Sequence, residues 1–367
     1  MDEKALTSSI AQFSAKFCNE LDKNKSVVSS PLSAEFVLAL IALGATDPAH
    51  EELLTTLGIA DDESIRSSFT VVSTKLKSIK GVTLNVANKV YIKDGSYDLE
   101  PKLKDDAITV FDAAFEKVNF DDGPAAADLI NKWVESKTNE KIKDLLSRDC
   151  LSSDTRLGTW KKQFDPANTI DQPFHIDEEK TVMVPMMYKE DEFLYGESEE
   201  LGAQLLKMHY VGEDASMLIV LPNEISGLNG VLEKLANGYD LMGEVEKMFS
   251  TKVQVTIPKF KIETEIDLAE LLPKLGIKAI FNPDKSGLNK ILNVEERLYV
   301  SKAVQKAFIE VNEEGAEAAA ATAMGIAFCS AILDEPPVPR FIADRPFLTI
   351  ILVENNPYFM AMHRGDC

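Results

Sequence analysis

This sequence lacks the runs that divide a chain into separate domains. No Gly/Ser-rich or Pro-rich linker and no low-complexity block interrupts its 367 residues, and no repeat recurs at the periods of solenoids or propellers. The composition is that of an ordinary globular protein, with 45% hydrophobic and 27% charged residues. Although the length alone would suggest more than one domain, we expect a single large domain over residues 1–367.

Residues suited to metal or redox chemistry are scarce. The four cysteines, Cys18, Cys150, Cys329 and Cys367, are too widely spaced for a metal or dithiol motif and too few for a disulfide scaffold. The four histidines show no metal-ligand spacing, and neither a nucleophile elbow nor a phosphate-binding glycine loop occurs. The sequence therefore predicts no metal, no cofactor and no enzyme activity.

Positive charge is scarce as well, and the net charge of −21 would repel a nucleic-acid backbone. The apolar run at 36–45 is too short to cross a bilayer, and no signal peptide begins the chain. We therefore expect a soluble protein with neither a nucleic-acid nor a membrane partner. An extracellular protein whose leader is absent from this sequence is slightly favoured over a cytoplasmic one.

Two tripeptide motifs stand outside any larger pattern. Asn24-Lys25-Ser26 has the form of an N-glycosylation acceptor, and Arg364-Gly365-Asp366 spells an integrin-type tripeptide. Patterns this short arise often by chance in a chain of this length. For the second motif we favour an accident of the C-terminal tail.

What is present is an ordered succession of helices and strands. Ser30 and Pro31 predict the cap and first turn of a nearly all-apolar helix, which we expect to be buried. Later apolar or alternating runs predict strands, among them 217–222, 253–257 and 347–353. Helices first and antiparallel strands later indicate an α+β fold.

The segment 313–323 is ambivalent. Its Ala and Glu residues favour a helix, but it has no large apolar residue that could hold a helix against a core. Read with a period of two, it places only small side chains on one face of a strand, namely Ala316, Ala318, Ala320 and Thr322. Such a segment can be a mobile loop in one state and a buried strand in another.

A set of widely spaced motifs, taken together and in order, carries a family resemblance. These motifs are Ser30-Pro31-Leu32-Ser33 and the segments 130–134, 184–187, 258–263, 301–315 and 341–347. The chain resembles the serpins along nearly all its length, and insect serpins of the lepidopteran kind most closely. The resemblance implies about nine helices around three mostly antiparallel sheets, with an exposed reactive loop at about 313–340.

The resemblance also implies a mechanism, that of an endopeptidase inhibitor. In inhibitory serpins a protease cuts the reactive loop and is caught as an acyl-enzyme, and the freed loop inserts into the central sheet. By alignment the hinge comprises Glu313, Glu314 and Gly315 followed by the small residues named above. Ser33 and Gln305 correspond to positions where the central sheet opens.

Counting forward by the usual family spacing places the cut between Cys329 and Ser330, with Phe328 and Ile326 as specificity residues. The aromatic Phe328 before the cleaved residue slightly favours a papain-like cysteine protease as the endogenous partner. A chymotrypsin- or elastase-like serine protease that accepts Cys329 is the alternative. We expect the inhibitor to be a monomer and read Cys329 as a plain small loop residue.

One segment departs from the family pattern. After Asp154 and Thr155 the family has a long strand of the central sheet, whereas here Leu157 leads directly into Gly158-Thr159-Trp160. About nine residues are missing by this comparison, which is at least an average strand of about five or six. Either the hinge already lies partly in the sheet, or the sheet contracts around the gap; both make trapping incomplete. A non-inhibitory serpin acting as a binding or carrier protein is the alternative function.

Overall fold

The computed structural model describes residues 3–79, 83–85, 89–137, 154–156, 158–294, 297–301, 303–315 and 337–366. Within these ranges most helices precede the long strands, as the sequence predicts. The helices are α1 (Glu3–Asn19), α2 (Pro31–Leu43), α3 (Ala49–Leu57), α4 (Asp62–Ser78), α5 (Pro101–Thr109), α6 (Gly123–Lys137), α7 (Leu228–Ala236), α8 (Leu241–Lys247) and α9 (Leu268–Leu275).

The strands form one large sheet and three short pairs within the described ranges. They are β1 (Val27–Ser29), β2 (Thr83–Asn85), β3 (Lys89–Lys93), β4 (Ala114–Val118), β5 (Asp154–Arg156), β6 (Ile170–His175), β7 (Thr181–Ser198), β8 (Ala203–His209), β9 (Ala215–Pro222), β10 (Phe249–Pro258), β11 (Phe260–Asp267), β12 (Val304–Val311), β13 (Arg340–Ile342), β14 (Phe347–Val353) and β15 (Asn356–His363).

The nine-stranded sheet runs in the order β1-β15-β14-β9-β8-β7-β10-β13, with β6 paired to β7. All its pairs are antiparallel except β10 with β13. The three remaining pairs are β11–β12, β2–β5 and β3–β4. Among the described residues, β5 comprises Asp154–Arg156 and pairs with β2.

Helix α2 lies at the centre of the core. Eleven of its residues are buried, and Pro31 occupies its first turn as predicted. The predicted capping role of Ser30 is wrong in one respect: Ser30 occupies the N-cap position, but its hydroxyl makes no cap hydrogen bond. The Ser30 hydroxyl instead donates to the Tyr358 carbonyl at 3.2 Å, so it ties α2 to β15.

Strand β12 lies between β11 and β5 in the described structure. Strand β12 pairs antiparallel with β11 along its whole length, and β11 is its only strand partner among the described residues. Strand β5 lies on the other side of β12 but is hydrogen-bonded to β2 rather than to β12. The edge of β12 that faces β5 therefore has no continuous ladder within the described chain.

Neither a membrane span nor a metal site occurs in the part of the chain that the structure describes. No helix there is long and apolar enough to cross a bilayer. No group of three or more His, Cys, Asp or Glu side chains there is arranged to hold a metal ion.

Helix α2 carries a carboxyl group in apolar surroundings. Glu35 is 3% exposed, and its Oε1 has no hydrogen-bond partner in the described structure. The side chains one turn away on the same face, Leu32, Leu38 and Ala39, are buried and apolar. Burial raises the pKa of Glu35 well above the ordinary value of 4.5, so the folded protein retains a proton on this group that the unfolded chain releases.

The Glu35→Gln variant should therefore change how stability depends on pH. With its folded pKa raised, Glu35 contributes stability that is fully present below its unfolded pKa and is lost as the pH rises through the folded value. Glutamine keeps the size without the charge. As the pH rises above the unfolded pKa of Glu35, the wild type should lose stability relative to the variant, by up to about 1.4 kcal/mol per pH unit.

Chemical denaturation at several pH values measures this difference. Glu51→Gln, a substitution of an exposed glutamate on α3, is the matched control and should follow the wild type. Parallel pH curves for the wild type and Glu35→Gln would contradict the prediction.

Candidate functional site

The chain reverses direction directly after β12. Asn312 and Gly315 exchange two backbone hydrogen bonds, each of 3.3 Å, which closes a turn over Glu313 and Glu314. The Asn312 side chain accepts from the Glu314 N–H at 3.0 Å and stabilises the turn. As a result Gly315 lies back beside Asn312, heading antiparallel to β12.

Gly315 has a second partner on its other side. It forms an antiparallel bridge with Thr159 as well as with Asn312, so it lies between the chain that leaves β12 and the chain that follows β5. Its φ of +115° is a conformation that side chains rarely adopt. A Cβ at this position would lie 2.3 Å from the Gly158 carbonyl oxygen, so only glycine fits between the two segments.

Trp160 fixes this turn from the side of Thr159. Its backbone N–H donates to the Glu314 carbonyl at 2.9 Å, and its indole N–H donates to the Asn312 carbonyl at 2.9 Å. The indole ring stacks on Tyr210, with ring centroids 4.5 Å apart and an interplanar angle of 11°. Since both rings are buried, the two carbonyl groups of the turn are held against a rigid aromatic pair.

Glu313 holds the turn through contacts with a different set of residues. Its carboxylate pairs with Lys259 Nζ at 2.9 Å and accepts from the Thr169 hydroxyl at 2.8 Å, while its backbone carbonyl accepts from the Phe164 N–H at 3.0 Å. Burial tends to raise the pKa of this carboxyl, but the hydrogen bonds from Lys259 and Thr169 outweigh burial and leave the pKa below its ordinary value. Glu313 is therefore an ionised anchor near neutral pH.

Gln305 lies lower on β12 and connects it to the start of α2. The Gln305 side-chain oxygen accepts from the Ser30 N–H at 2.9 Å, and its amide nitrogen donates to the Ser30 carbonyl at 2.8 Å. Ser33, the other residue expected at the opening of the sheet, is buried on α2 near this contact. The reciprocal pair with Ser30 closes α2 against β12.

The far end of the expected loop is attached to the nine-stranded sheet. The Gln254 N–H on β10 donates to the Pro339 carbonyl at 2.9 Å, and β13 then continues parallel to β10. Between Gly315 and Pro337 lie residues 316–336, outside the described residues. They include the remaining expected hinge and cut-site residues: Ala316, Ala318, Ala320, Thr322, Ile326, Phe328, Cys329 and Ser330.

Several contributors to this site were not identified from the sequence as partners of the hinge. Trp160 and Lys259 lie within motifs of the family resemblance. The motifs indicate that these positions matter, but they do not show which residues Trp160 and Lys259 contact. Thr169 and Tyr210 carried no signal, because single polar or aromatic residues in loops are common. Ser30 was assigned to helix capping alone, whereas its backbone is what Gln305 binds.

The tripeptide Arg364-Gly365-Asp366 is part of the fold. The Asp366 carboxylate accepts from the Ser26 N–H at 2.9 and 3.1 Å and from the Ser26 hydroxyl. The Arg364 guanidinium donates to the Asn229 side chain at 2.7 Å, and Gly365 is buried. The Arg364 and Asp366 side chains therefore bind other residues of the same chain.

A family profile and two insect proteins match this sequence over most of its length. The sequence profile described as "Serpin (serine protease inhibitor)" matches residues 8–364. Antichymotrypsin-2 of Bombyx mori is 42% identical over 348 residues, covering 92% of this chain and 92% of that protein. Alaserpin of Manduca sexta is 37% identical over 369 residues, covering 97% of this chain and 93% of that protein.

The fold of this chain is also similar to that of a solved insect structure. The crystal structure of Serpin48, described as a highly specific serpin in the insect Tenebrio molitor, superposes with a TM-score of 0.86 at 30% identity. The superposition covers 100% of this chain and 99% of that one. With the family profile spanning nearly the whole sequence and inhibitory insect proteins among its relatives, this chain belongs to the serpin family.

Proposed function

We propose that this protein inhibits an endopeptidase through a reactive loop at 313–340, which the protease cuts near Cys329-Ser330. The position of Gly315 between Asn312 and Thr159 is the observation that carries this proposal. A strand that is to enter a sheet must first turn back along its neighbour, and the turn at Glu313 and Glu314 provides that reversal. The loop would enter between β12 and β5.

The small residues after Gly315 suit such an entry. Ala316, Ala318, Ala320 and Thr322 alternate in the sequence, so an extended chain would present them on one face. A buried face of small side chains can pass between packed neighbours without the steric clashes that large side chains would cause. In the serpin mechanism this insertion carries the acylated protease with it.

Two target classes fit the residues before the expected cut. A papain-like cysteine protease selects an aromatic residue before the cleaved one, which suits Phe328 with cleavage after Cys329. A chymotrypsin-like serine protease has a hydrophobic specificity pocket, and it would suit either Cys329 or a cut shifted by one residue to Phe328. The name of the relative Antichymotrypsin-2 supports the second class.

We propose incomplete trapping because of the gap in the sequence after Leu157. An inserted strand would have the eight residues of β12 on one side, whereas on the other side about nine residues of the family's strand are missing by the sequence comparison. Each buried backbone group left without a partner costs on the order of 1–3 kcal/mol. The gain in free energy from insertion should therefore be small, and part of the acyl-enzyme should hydrolyse before it is trapped.

The position of Gly315 in the uncut chain reduces the free energy gained on insertion further. Because Gly315 already lies between the two segments in the uncut chain, the first step of insertion contributes nothing after cleavage. We propose that the hinge from Glu314 to about Ala323 lies partly in the sheet before any protease acts. The exposed part of the loop would then be shorter than the whole segment 313–340.

Incubation with a papain-like and a chymotrypsin-like protease tests the inhibitory function. We expect loss of protease activity, a complex that resists denaturation, and a consumed fraction of inhibitor cut near Cys329. Phe328→Asp should abolish inhibition, because a carboxylate cannot enter an apolar pocket without a large desolvation cost.

Phe120→Asp, which changes an exposed phenylalanine after β4, is the matched control and should inhibit normally. Mass spectrometry of the cut loop separates the two target classes by the bond that is cleaved. Cleavage of the loop by both proteases with no covalent complex would contradict the proposed function.

Limited proteolysis and melting curves test the seated hinge. We expect nonspecific proteases to spare residues 318–322 of the uncut protein, and we expect loop cleavage to raise the melting temperature only slightly. Gly315→Ala should destabilise the turn and expose the hinge to proteolysis, because its Cβ would overlap the Gly158 carbonyl.

Gly123→Ala is the control, since a Cβ at Gly123 meets no atom within 4 Å. Rapid cutting between Ala318 and Thr322 in the wild type would exclude the seated hinge. A large rise in melting temperature after loop cleavage would exclude incomplete insertion.

A second candidate function, a carrier of small molecules, has one observation in its favour. A cavity of about 560 Å³ lies between α1, the α7–α8 connection and the turn from β14 to β15. Its walls combine apolar side chains such as Leu235 and Met360 with polar ones such as Gln12 and Glu246. A cavity of this size lies within the range of about 300–1,000 Å³ that is typical of small-molecule sites.

A fluorescent apolar probe and thermal shift assays test this second function. A carrier should bind the probe at one site and gain about 2.7 kcal/mol of stability at a ligand concentration 100 times the dissociation constant. Ala11→Trp, which fills the cavity wall, should abolish binding, whereas Ala125→Trp on the exposed side of α6 should not. Equal probe signals from all three proteins would exclude this cavity as a ligand site.

A further inference from the structure

The motif Asn24-Lys25-Ser26 is the only N-glycosylation pattern in the chain, and it lies in the turn between α1 and β1. Asn24 and Lys25 are exposed there. The surface position of Asn24 leaves room for a bulky, solvated glycan, which a buried asparagine would exclude. Neither residue belongs to the site described above.

Both reactive groups of the motif are occupied once the chain has folded. The Asn24 side-chain amide donates to Asp22 Oδ1 at 3.2 Å, and the Asn24 backbone N–H donates to the same oxygen at 2.9 Å. The Ser26 hydroxyl donates to Asp366 Oδ1 and accepts from the Arg364 N–H at 2.8 Å. One carboxylate therefore holds the acceptor amide, and another holds the hydroxyl that defines the motif.

We propose that Asn24 is an N-glycosylation site that is modified before the C-terminal segment docks. The inference rests on the expectation from the sequence that the protein is extracellular, and it is independent of protease inhibition. The donor is a lipid diphosphate-linked oligosaccharide. A bond forms between Asn24 Nδ2 and the anomeric carbon of the sugar, the bond from that carbon to the diphosphate oxygen breaks, and the amide proton leaves to a base of the transferase.

The order of events follows from the distance along the chain between Ser26 and Asp366, which are 340 residues apart. At a synthesis rate of about 5–20 residues per second, Asp366 appears roughly 20–70 s after Ser26. During that interval the Ser26 hydroxyl has no competing carboxylate from the C-terminus. After docking, the β1–β15 ladder begins next to the motif, with Val27 opposite Met362, and holds Ser26 against Asp366.

The experiment directs the full chain into the secretory pathway of a eukaryotic host with an added cleavable leader. Intact mass and treatment with a peptide N-glycosidase should reveal one N-glycan, located at Asn24 by peptide mapping. Asn24→Gln and Ser26→Ala should each lack it. Asn19→Gln, outside the motif at the end of α1, is the matched control and should retain it.

A second measurement tests the order of events. The folded, unglycosylated chain is incubated with microsomal transferase and the lipid-linked donor, beside an Asp22→Ala/Asp366→Ala double variant. The double variant should be modified at least about tenfold faster, the ratio that corresponds to removing about 1.4 kcal/mol of competing hydrogen bonding.

Each outcome decides one part of the proposal. A secreted wild-type chain with unmodified Asn24 would overturn the site itself. Glycosylation of the folded wild type as fast as of the double variant would overturn the proposed order. Loss of the glycan in Asn24→Gln with protease inhibition unchanged would support the site and leave the inhibitory function to its own test.

Discussion

The site depends on one constraint: a backbone strand buried in a sheet needs partners on both edges. Gly315 has backbone partners on both edges, Asn312 on one side and Thr159 on the other. Farther along, β12 pairs with β11 on one side, and the described residues of β5 on its other side are hydrogen-bonded to β2. In the proposed function, the backbone pairing on that side of β12 would set the free energy of loop insertion.

Contacts from three segments of the chain hold the turn beside Gly315 in place. The Lys259–Glu313 ion pair, the indole of Trp160 and the stacked ring of Tyr210 approach it from three separate segments of the chain. A group held from three directions has few alternative positions, because each alternative would break a buried hydrogen bond. The turn over Glu313 and Glu314 is therefore held in one position.

Much of the fold could be predicted from sequence because its motifs are long and ordered. The buried helix that begins at Pro31 and the strand over Phe347–Val353 follow directly from apolar patterns. Contacts between distant segments could not be predicted in the same way. Thr169 contacts Glu313, which lies 144 positions later in the sequence, and no local preference of either residue encodes that pairing. The gap after Leu157 could be read from the sequence, but the position of Gly315 beside Thr159 required coordinates.

The position of Trp160 gives this protein a built-in optical reporter. The chain has two tryptophans, of which Trp160 donates to the Asn312 carbonyl of the turn while Trp133 lies on α6 beside Tyr91. Any rearrangement that lifts the turn away would break the indole hydrogen bond and alter the stacking with Tyr210. The emission of Trp160 should thus follow the hinge in real time, with Trp133 as an internal reference in the same molecule.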